Sequence, residues 1–353
     1  MLMKQKFYGE EEMKKSFVFL LVVLMLVCAV FFTACSKKEA APAAAAPAQE
    51  VFNLRLAHLT PETEAYHLAA VRFKNLIEER SKGRIKITIY PAGQLGFDRE
   101  VIESLQIGVI DLGMVTTAPL ANFVPAFAAF DMPWMFRDWD HVEAALKQPF
   151  IKELYDSGYE KGLVPMAMLP RGFRITTNSV RPINSAADFK GIKMRVLESP
   201  VYVTTFEALG ANVTAMSWGE VFTALQQGAI DACEQPAAAL FNERIFEVQK
   251  YLTFTNHIFA FATFVSSRAL YDKLPKDLKD LMRSCAEEAL SAQGKQEREN
   301  EAVFAQKLQD KGLIANKIDT APLRKIAQVT YDQFAKTAAP RTVEYVGLIE
   351  KTK

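Results

Sequence analysis

The seven-residue pattern Leu-Gln-x-Gly-x-Ile-Asp occurs twice, in "ESLQIGVIDLG" (Glu103 to Gly113) and "TALQQGAIDAC" (Thr223 to Cys233). Each copy reads as the end of an amphipathic helix, a glycine in the left-handed cap (Gly108 or Gly228), and a strand beginning after the aspartate. Two copies this far apart fit two similar α/β lobes; a solenoid would need several closely spaced copies. Strand-like runs precede each copy: "FNLRLAHL" and "RIKITIYPAG" before the first, "GIKMRV" before the second. Strands alternating with helices predict mainly parallel sheets, which bind ligands in the crevice beyond the carboxyl ends of their strands.

Two arginines sit oddly in this scheme. In "GIKMRV", Ile192, Met194 and Val196 fall on one strand face, and Lys193 and Arg195 on the other. Arg174, in "RGFRITTNS", starts another strand-like run. A buried guanidinium is costly unless it is paired, so each needs a partner or a purpose. Further on, the longest helical pattern of the chain starts after Pro275 and stops at Gly312, with Leu278, Leu281, Met282 and Cys285 on one face. A helix of that length can run along both lobes. "TAPLRKIAQVTYDQFAKTAAP" predicts one more helix near the C-terminus.

The first 34 residues read as a targeting segment and stay outside the fold. Lys14 and Lys15 precede the apolar run "FVFLLVVLMLVCAVFF", which is too short and wrongly flanked for a spanning helix. The run ends in "FTAC", and the polar Ala/Pro stretch "SKKEAAPAAAAPAQE" follows. Small residues before a cysteine and then a tether resemble a bacterial lipoprotein signal, with Cys35 as the acylated residue, 1–34 as signal peptide and 35–50 as tether. Phe32 departs from the aliphatic residue usual at its place. From Cys35 onward the chain balances at 38 basic and 38 acidic residues, leaving no basic field for nucleic acid. Cys233 and Cys285 then remain, with no CxxC and no metal-ligand spacing, and read as small buried hydrophobes.

No GxSxG elbow, HExxH, P-loop or GxGxxG is present. The four histidines (His58, His67, His141, His257) lie apart. The many acidic residues read as solvated helical faces. Nothing local favours an enzyme, a metal or a cofactor.

The motifs "YPAGQLGFDRE", "LQIGVIDLG", "FDMPWMF", "RGFRITTN", "DFKGIKMRV", "ALGANVTAMSWGEVFTALQQGAIDACEQP" and "VQKYLTFTNH" follow one another in this order. As a set they resemble the solute-binding proteins of tripartite ATP-independent periplasmic (TRAP) transporters, of the dicarboxylate-binding type, over nearly all of the chain after the tether. The resemblance implies a two-lobe α/β periplasmic-binding-protein fold with a hinge and a long helix spanning both lobes. It implies a first lobe of 51–171 plus 261–300 and a second of 172–260 plus 301–353. It also implies the function: an extracytoplasmic, lipid-tethered receptor, without catalysis, that closes on a small organic anion (a sugar acid or dicarboxylate) and delivers it to the TRAP membrane permease. The alternatives are the binding component of an ATP-driven importer, a sensor, or a lipid-anchored enzyme acting on acidic metabolites.

The site residues follow from the same resemblance. Arg195 falls on the arginine that clamps the substrate carboxylate in the family, and Arg174 on a second arginine that often assists it. A planar guanidinium matches both carboxylate oxygens, which lysine cannot copy; the competing role for Arg195 is an ion pair with Glu198. Trp218 occupies the position of an aromatic residue packed against the substrate, and Gln235 stands where the family usually has asparagine. Glu198 and Thr116 fall at pocket-lining positions. Phe97 stands where a relative that binds a sugar acid has an aspartate. Glu234 is expected at the hinge or between lobes, and His58 as a satisfied polar residue.

Overall fold

Both copies of the repeated pattern fold as helix, turn and strand. The helix Asp98–Gln106 is followed by Gly108 at φ 73° and by β3 (Leu112–Thr116); the helix Trp218–Gln226 by Gly228 at φ 70° and by β7 (Ala232–Pro236). A left-handed residue here is best supplied by glycine, which has no Cβ to clash. The two aspartates share a task that the pattern alone does not reveal. Asp111 Oδ2 accepts from Arg55 N at 2.8 Å, and Asp231 Oδ2 accepts from Lys193 N at 2.9 Å. Each aspartate thereby fastens a neighbouring parallel strand, β5 at its first residue and β1 just before its pairing with β3 begins at Leu56.

The computed structural model describes residues 50–353. The expected signal peptide 1–34, Cys35 and the expected tether up to residue 49 lie outside the described residues. The remaining eight strands are β1 (Phe52–His58), β2 (Ile85–Tyr90), β4 (Leu163–Asn178), β5 (Lys193–Val196), β6 (Asn212–Ala215), β8 (Tyr251–Phe254), β9 (Phe259–Ser267) and β10 (Ile314–Lys317). They lie in the order β2-β1-β3-β9-β4-β7-β5-β6, with β8 also on β4 and β10 on β8. The outer pairs β1–β2, β1–β3, β5–β6, β5–β7 and β8–β10 are parallel, as helical crossovers require. The antiparallel pairs all involve β4 or β9.

Those two strands join the halves. β4 pairs with β9 from Leu163 to Phe173, then with β7 from Arg174 to Asn178. Its register slips between Pro165 and Ala167 and again between Pro170 and Gly172. Proline has no N–H to give the ladder, and strands bulge where it occurs. Gly172, at φ 109°, completes the second slip just before β4 changes partner.

The long helix runs from Lys276 to Asp310, with Pro275 in front and Gly312 at φ 100° behind. It buries Leu278, Met282, Cys285, Ala286, Ala289 and Leu290 on one stripe. The helix packs along β4, the first-half helix Ala65–Arg80 and, through Phe304 and Lys307, the second-half helix Ala237–Asn242, so it spans both lobes. Cys233 and Cys285 are buried free thiols.

The C-terminal region packs in two places. β10, Leu323 and Ala327 pack with the second half, but the last helix, Pro340–Lys351, returns to the first. Its Tyr345 stacks 5.6 Å from Phe150, Ile349 O accepts from His141 Nε2 at 2.8 Å, and Arg341 pairs with Glu153 at 2.6 Å. Within the segment 301–353 expected in the second lobe, β10 and the last helix thus pack on different parts of the sheet. Periodicity identifies an apolar helix face but not the surface that it covers.

Candidate functional site

β5 carries Arg195 one residue from its end. Met194 and Val196 enter the core with Phe189 and Phe206, so alternation turns Arg195 the other way, yet it is only 1% exposed. Its Nε and Nη2 donate to Met216 O at 2.9 and 2.6 Å, and its guanidinium lies 5.2 Å from the centre of the Trp218 ring. Nη1 is buried with no hydrogen-bond partner among the described residues. Burial pushes this guanidinium down to about 10, so it remains a cation at neutral pH. Glu198, the competing ion-pair partner, is not bonded to it; the Glu198 carbonyl accepts from Asn122 at 2.6 Å instead.

Arg195 opens on a cavity of ≈ 420 Å³, including the part open to solvent. Five of the six sequence-predicted binding residues line it: Arg195, Trp218, Gln235, Glu198 and Thr116. Thr116 is the last residue of β3 and Gln235 the penultimate residue of β7, so the strand that follows each copy of the repeat brings one residue to the cleft. Thr116 N donates to Asp98 Oδ1 at 2.8 Å, and its hydroxyl lies 2.8 Å from Tyr66 OH. Gln235 Oε1 is buried without a protein partner. The Trp218 indole N–H donates to Glu243.

Arg174, the sixth, is elsewhere. Its Nη2 donates to Glu234 Oε1 at 2.9 Å and to Glu234 O at 2.8 Å, and its Nε to Glu234 Oε2. His257 Nε2 lies 3.1 Å from the same carboxylate. Burial alone would raise the Glu234 carboxyl, but Arg174 and His257 hold it down at about 2. The expected second ligand arginine is thus committed to a buried ion pair beside the lobe crossing, where Glu234 was also expected. The arginine that does line the cavity is Arg171. It is the residue skipped in the β4 bulge, and bulges re-aim side chains. Its Nη2 donates to Glu64 Oε2 at 2.6 Å, its guanidinium lies 4.6 Å from the centre of the Tyr66 ring, and its Nε has no protein partner.

Sequence reasoning also missed two cavity carboxylates. Burial pushes Asp98 up to about 6, against the bonds from Thr116. Burial, with Glu64 nearby, pushes Glu243 up to about 8. His58 behaves as expected: it is buried, 3.2 Å from His67 Nδ1, and pushed down to about 3 by burial and by that neighbour. Among the described residues no cluster could hold a metal, and no helix is long and apolar enough to cross a membrane.

A buried cation without an ion-pair partner among the described residues, facing a cleft between two sheet halves, can hold an anion. Comparison with known proteins agrees with that geometry. Residues 56–337 match the family model described as bacterial extracellular solute-binding protein, family 7 (DctP). The 2,3-diketo-L-gulonate-binding periplasmic protein of Escherichia coli K12 is 33% identical over 261 residues, covering 74% of this chain and 80% of its own. The C4-dicarboxylate-binding periplasmic protein of Rhodobacter capsulatus is 30% identical over 303 residues, covering 83% of this chain and 89% of its own. A solved TRAP periplasmic solute-binding protein from Polaromonas sp. JS666, bound to D-erythronate, superposes with a TM-score of 0.82 at 33% identity, covering 86% of this chain and 99% of its own. Such relatives are binding proteins rather than enzymes. The chain belongs to family 7 of the bacterial extracellular solute-binding proteins, the solute-binding proteins of TRAP transporters.

Proposed function

We propose that this protein captures a small carboxylate outside the cytoplasm, by closing two lobes over Arg195, and hands it unchanged to a TRAP permease. The observation that carries the reading is the Arg195 guanidinium: buried, cationic, anchored through Met216 O, with Nη1 unused by the protein. A ligand carboxylate completes it, since paired and hydrogen-bonded charges are the ones that tolerate burial. Trp218 supplies the wall on which Arg195 rests, Gln235 Oε1 an acceptor for a ligand hydroxyl, and Thr116 and Glu198 the rim. A ligand that touches both halves favours the closed state, and one binding both states equally would shift nothing.

The lobe boundaries proposed are 51–171 plus 261–300, and 172–260 plus 301–339, with the last helix returning to the first lobe. The change of partner in β4, from β9 to β7 after Phe173 and opposite the start of β9 at Phe259, supports this division. Acylation at Cys35 after removal of 1–34 would tether the receptor to a membrane in the periplasm or at the cell surface. Relatives bind 2,3-diketogulonate, C4-dicarboxylates or erythronate, and the ligand class proposed here is the same: sugar acids or dicarboxylates. A thermal-shift screen over organic acids tests it. A ligand present at a hundred times its Kd stabilises the native state by about 2.7 kcal/mol. The expected result is a raised melting temperature with one or a few carboxylates, none with their amides, and ligand recovered chemically intact. A library of sugar acids and dicarboxylates without a single hit overturns the reading.

A further inference from the structure

The cavity is closed on one side by an aromatic ring that belongs to neither the repeat nor the arginine pair. Phe97 stands immediately before the helix Asp98–Gln106, on the β1–β3 half, and lines the cavity. The outer end of its ring meets two glycines. One is Gly93, in its own half, where an added Cβ would lie 3.0 Å from Cζ. The other is Gly219, across the cleft in the first turn of the helix Trp218–Gln226, where an added Cβ would fall inside the van der Waals envelope of Cζ and Cε2 and 2.8 Å from Cε1. Gly219 has no left-handed φ to explain it, and glycine is a poor residue within a helix. The close approach of the ring is the one structural demand that the position shows.

We infer that Phe97 is a latch: its ring docks on Gly219 when the lobes close, seals the cleft, and sets how long a ligand the cleft accepts. The inference rests on the binding reading above. Gly219 adjoins Trp218, against which Arg195 rests, so latch and carboxylate clamp meet at the same helix start. A ligand held at Arg195 then extends toward a ring edge that offers no hydrogen bond. The contact forms only in the closed state, so it adds to the affinity of every ligand that permits closure. It also opposes any ligand whose far end needs the space of the ring.

Calorimetric titration with D-erythronate, D-gluconate, D-galacturonate and succinate tests this on wild type, Gly219→Ala, Phe97→Ala and the double mutant. Alanine suits a helix better than glycine does, so Gly219→Ala should melt without ligand at or above the wild-type temperature, while blocking closure. It should weaken every acid that binds wild type by at least tenfold and by a similar factor. Phe97→Ala should raise affinity for the six-carbon acids relative to the four-carbon ones by roughly 10–200-fold, the range over which pocket shape discriminates small groups. Adding Phe97→Ala to Gly219→Ala should restore part of what the latter loses. If Gly219→Ala binds as wild type does, or if the double mutant is weaker than either single one, there is no latch. An unchanged ratio of six-carbon to four-carbon acids in Phe97→Ala removes the length selection. If wild type binds none of the four acids while Arg195→Ala also leaves every thermal shift unchanged, the binding reading fails and takes the latch with it.

Discussion

Arg195 and Arg174 lie on the two strands that flank β7, are equally buried, and should respond to truncation in opposite ways. Arg195→Ala removes a cation held by two hydrogen bonds to one carbonyl and by the face of Trp218. Without ligand, the loss of those bonds is offset by the loss of a buried charge that no protein carboxylate pairs, so the melting temperature should move little. With ligand, the loss is that of one member of a buried, hydrogen-bonded charge pair, about 2–5 kcal/mol. At about 1.4 kcal/mol per tenfold, affinity should fall roughly 30-fold to several thousand-fold. Arg195→Lys should recover only part of it, because a point charge cannot reproduce the planar fork. Arg174→Ala instead strands the Glu234 carboxylate, which is 0% exposed. Breaking a buried pair from one side costs about 3–5 kcal/mol. At the roughly 2 °C per kcal/mol expected for a chain of this size, that lowers the melting temperature by about 6–10 °C. Apo melting curves and calorimetric titrations of the three mutants separate these outcomes. If Arg195→Ala melts as low as Arg174→Ala and binds within threefold of wild type, Arg195 is structural and the clamp assignment is wrong.

Trp218 lines the cavity against Arg195 and Glu243, so ligand binding should change intrinsic fluorescence in wild type and largely lose that signal in Trp218→Phe; a signal fully kept in the mutant returns Trp218 to the core. Asp131 is buried with Oδ2 unpartnered, and burial pushes it from the ordinary 3.8 up to about 8. The folded state therefore keeps a proton that the unfolded chain has lost, and stability falls as pH rises from about 4 to about 8. Asp131→Asn removes that dependence, so its melting temperature should gain on wild type between pH 5 and pH 8; a constant difference across that interval refutes the reading. Cys35→Ser should release mature protein from the membrane or leave the precursor uncleaved, and unchanged processing and partition would remove the lipid anchor.

Features decided within a few residues were legible in the sequence. The two helix–glycine–strand units, the Pro275 start and the Gly312 stop depend on local backbone chemistry, and each appears where its pattern lies. The place of Arg195 in the cavity wall was legible through motif context and alternation, because β5 is short and regular. Reading fails where tertiary geometry overrides the local period. In β4, Arg171 and Arg174 are three apart, and a regular strand gives no reason to prefer the first. The bulge between Pro170 and Gly172 lifts Arg171 out of the ladder and into the cavity; the Pro-x-Gly spacing inside a strand-like run was the available signal. Asp98 and Glu243 sit at the start of one helix and just past the end of another, positions that read as solvated until the second half of the fold covers them. The antiparallel pairing of β4 with β9 and the return of the last helix are choices of partner, which no local pattern encodes. The two arginines show the same distinction at the level of one side chain. Both are buried guanidiniums at 1% exposure, and composition gives them equal claims. What separates them is that β7 sets Glu234 against Arg174, while the carbonyl of Met216 takes two donors of Arg195 and leaves Nη1 free. A binding protein needs that inequality, because an arginine already neutralised by its own fold gains little from a substrate carboxylate.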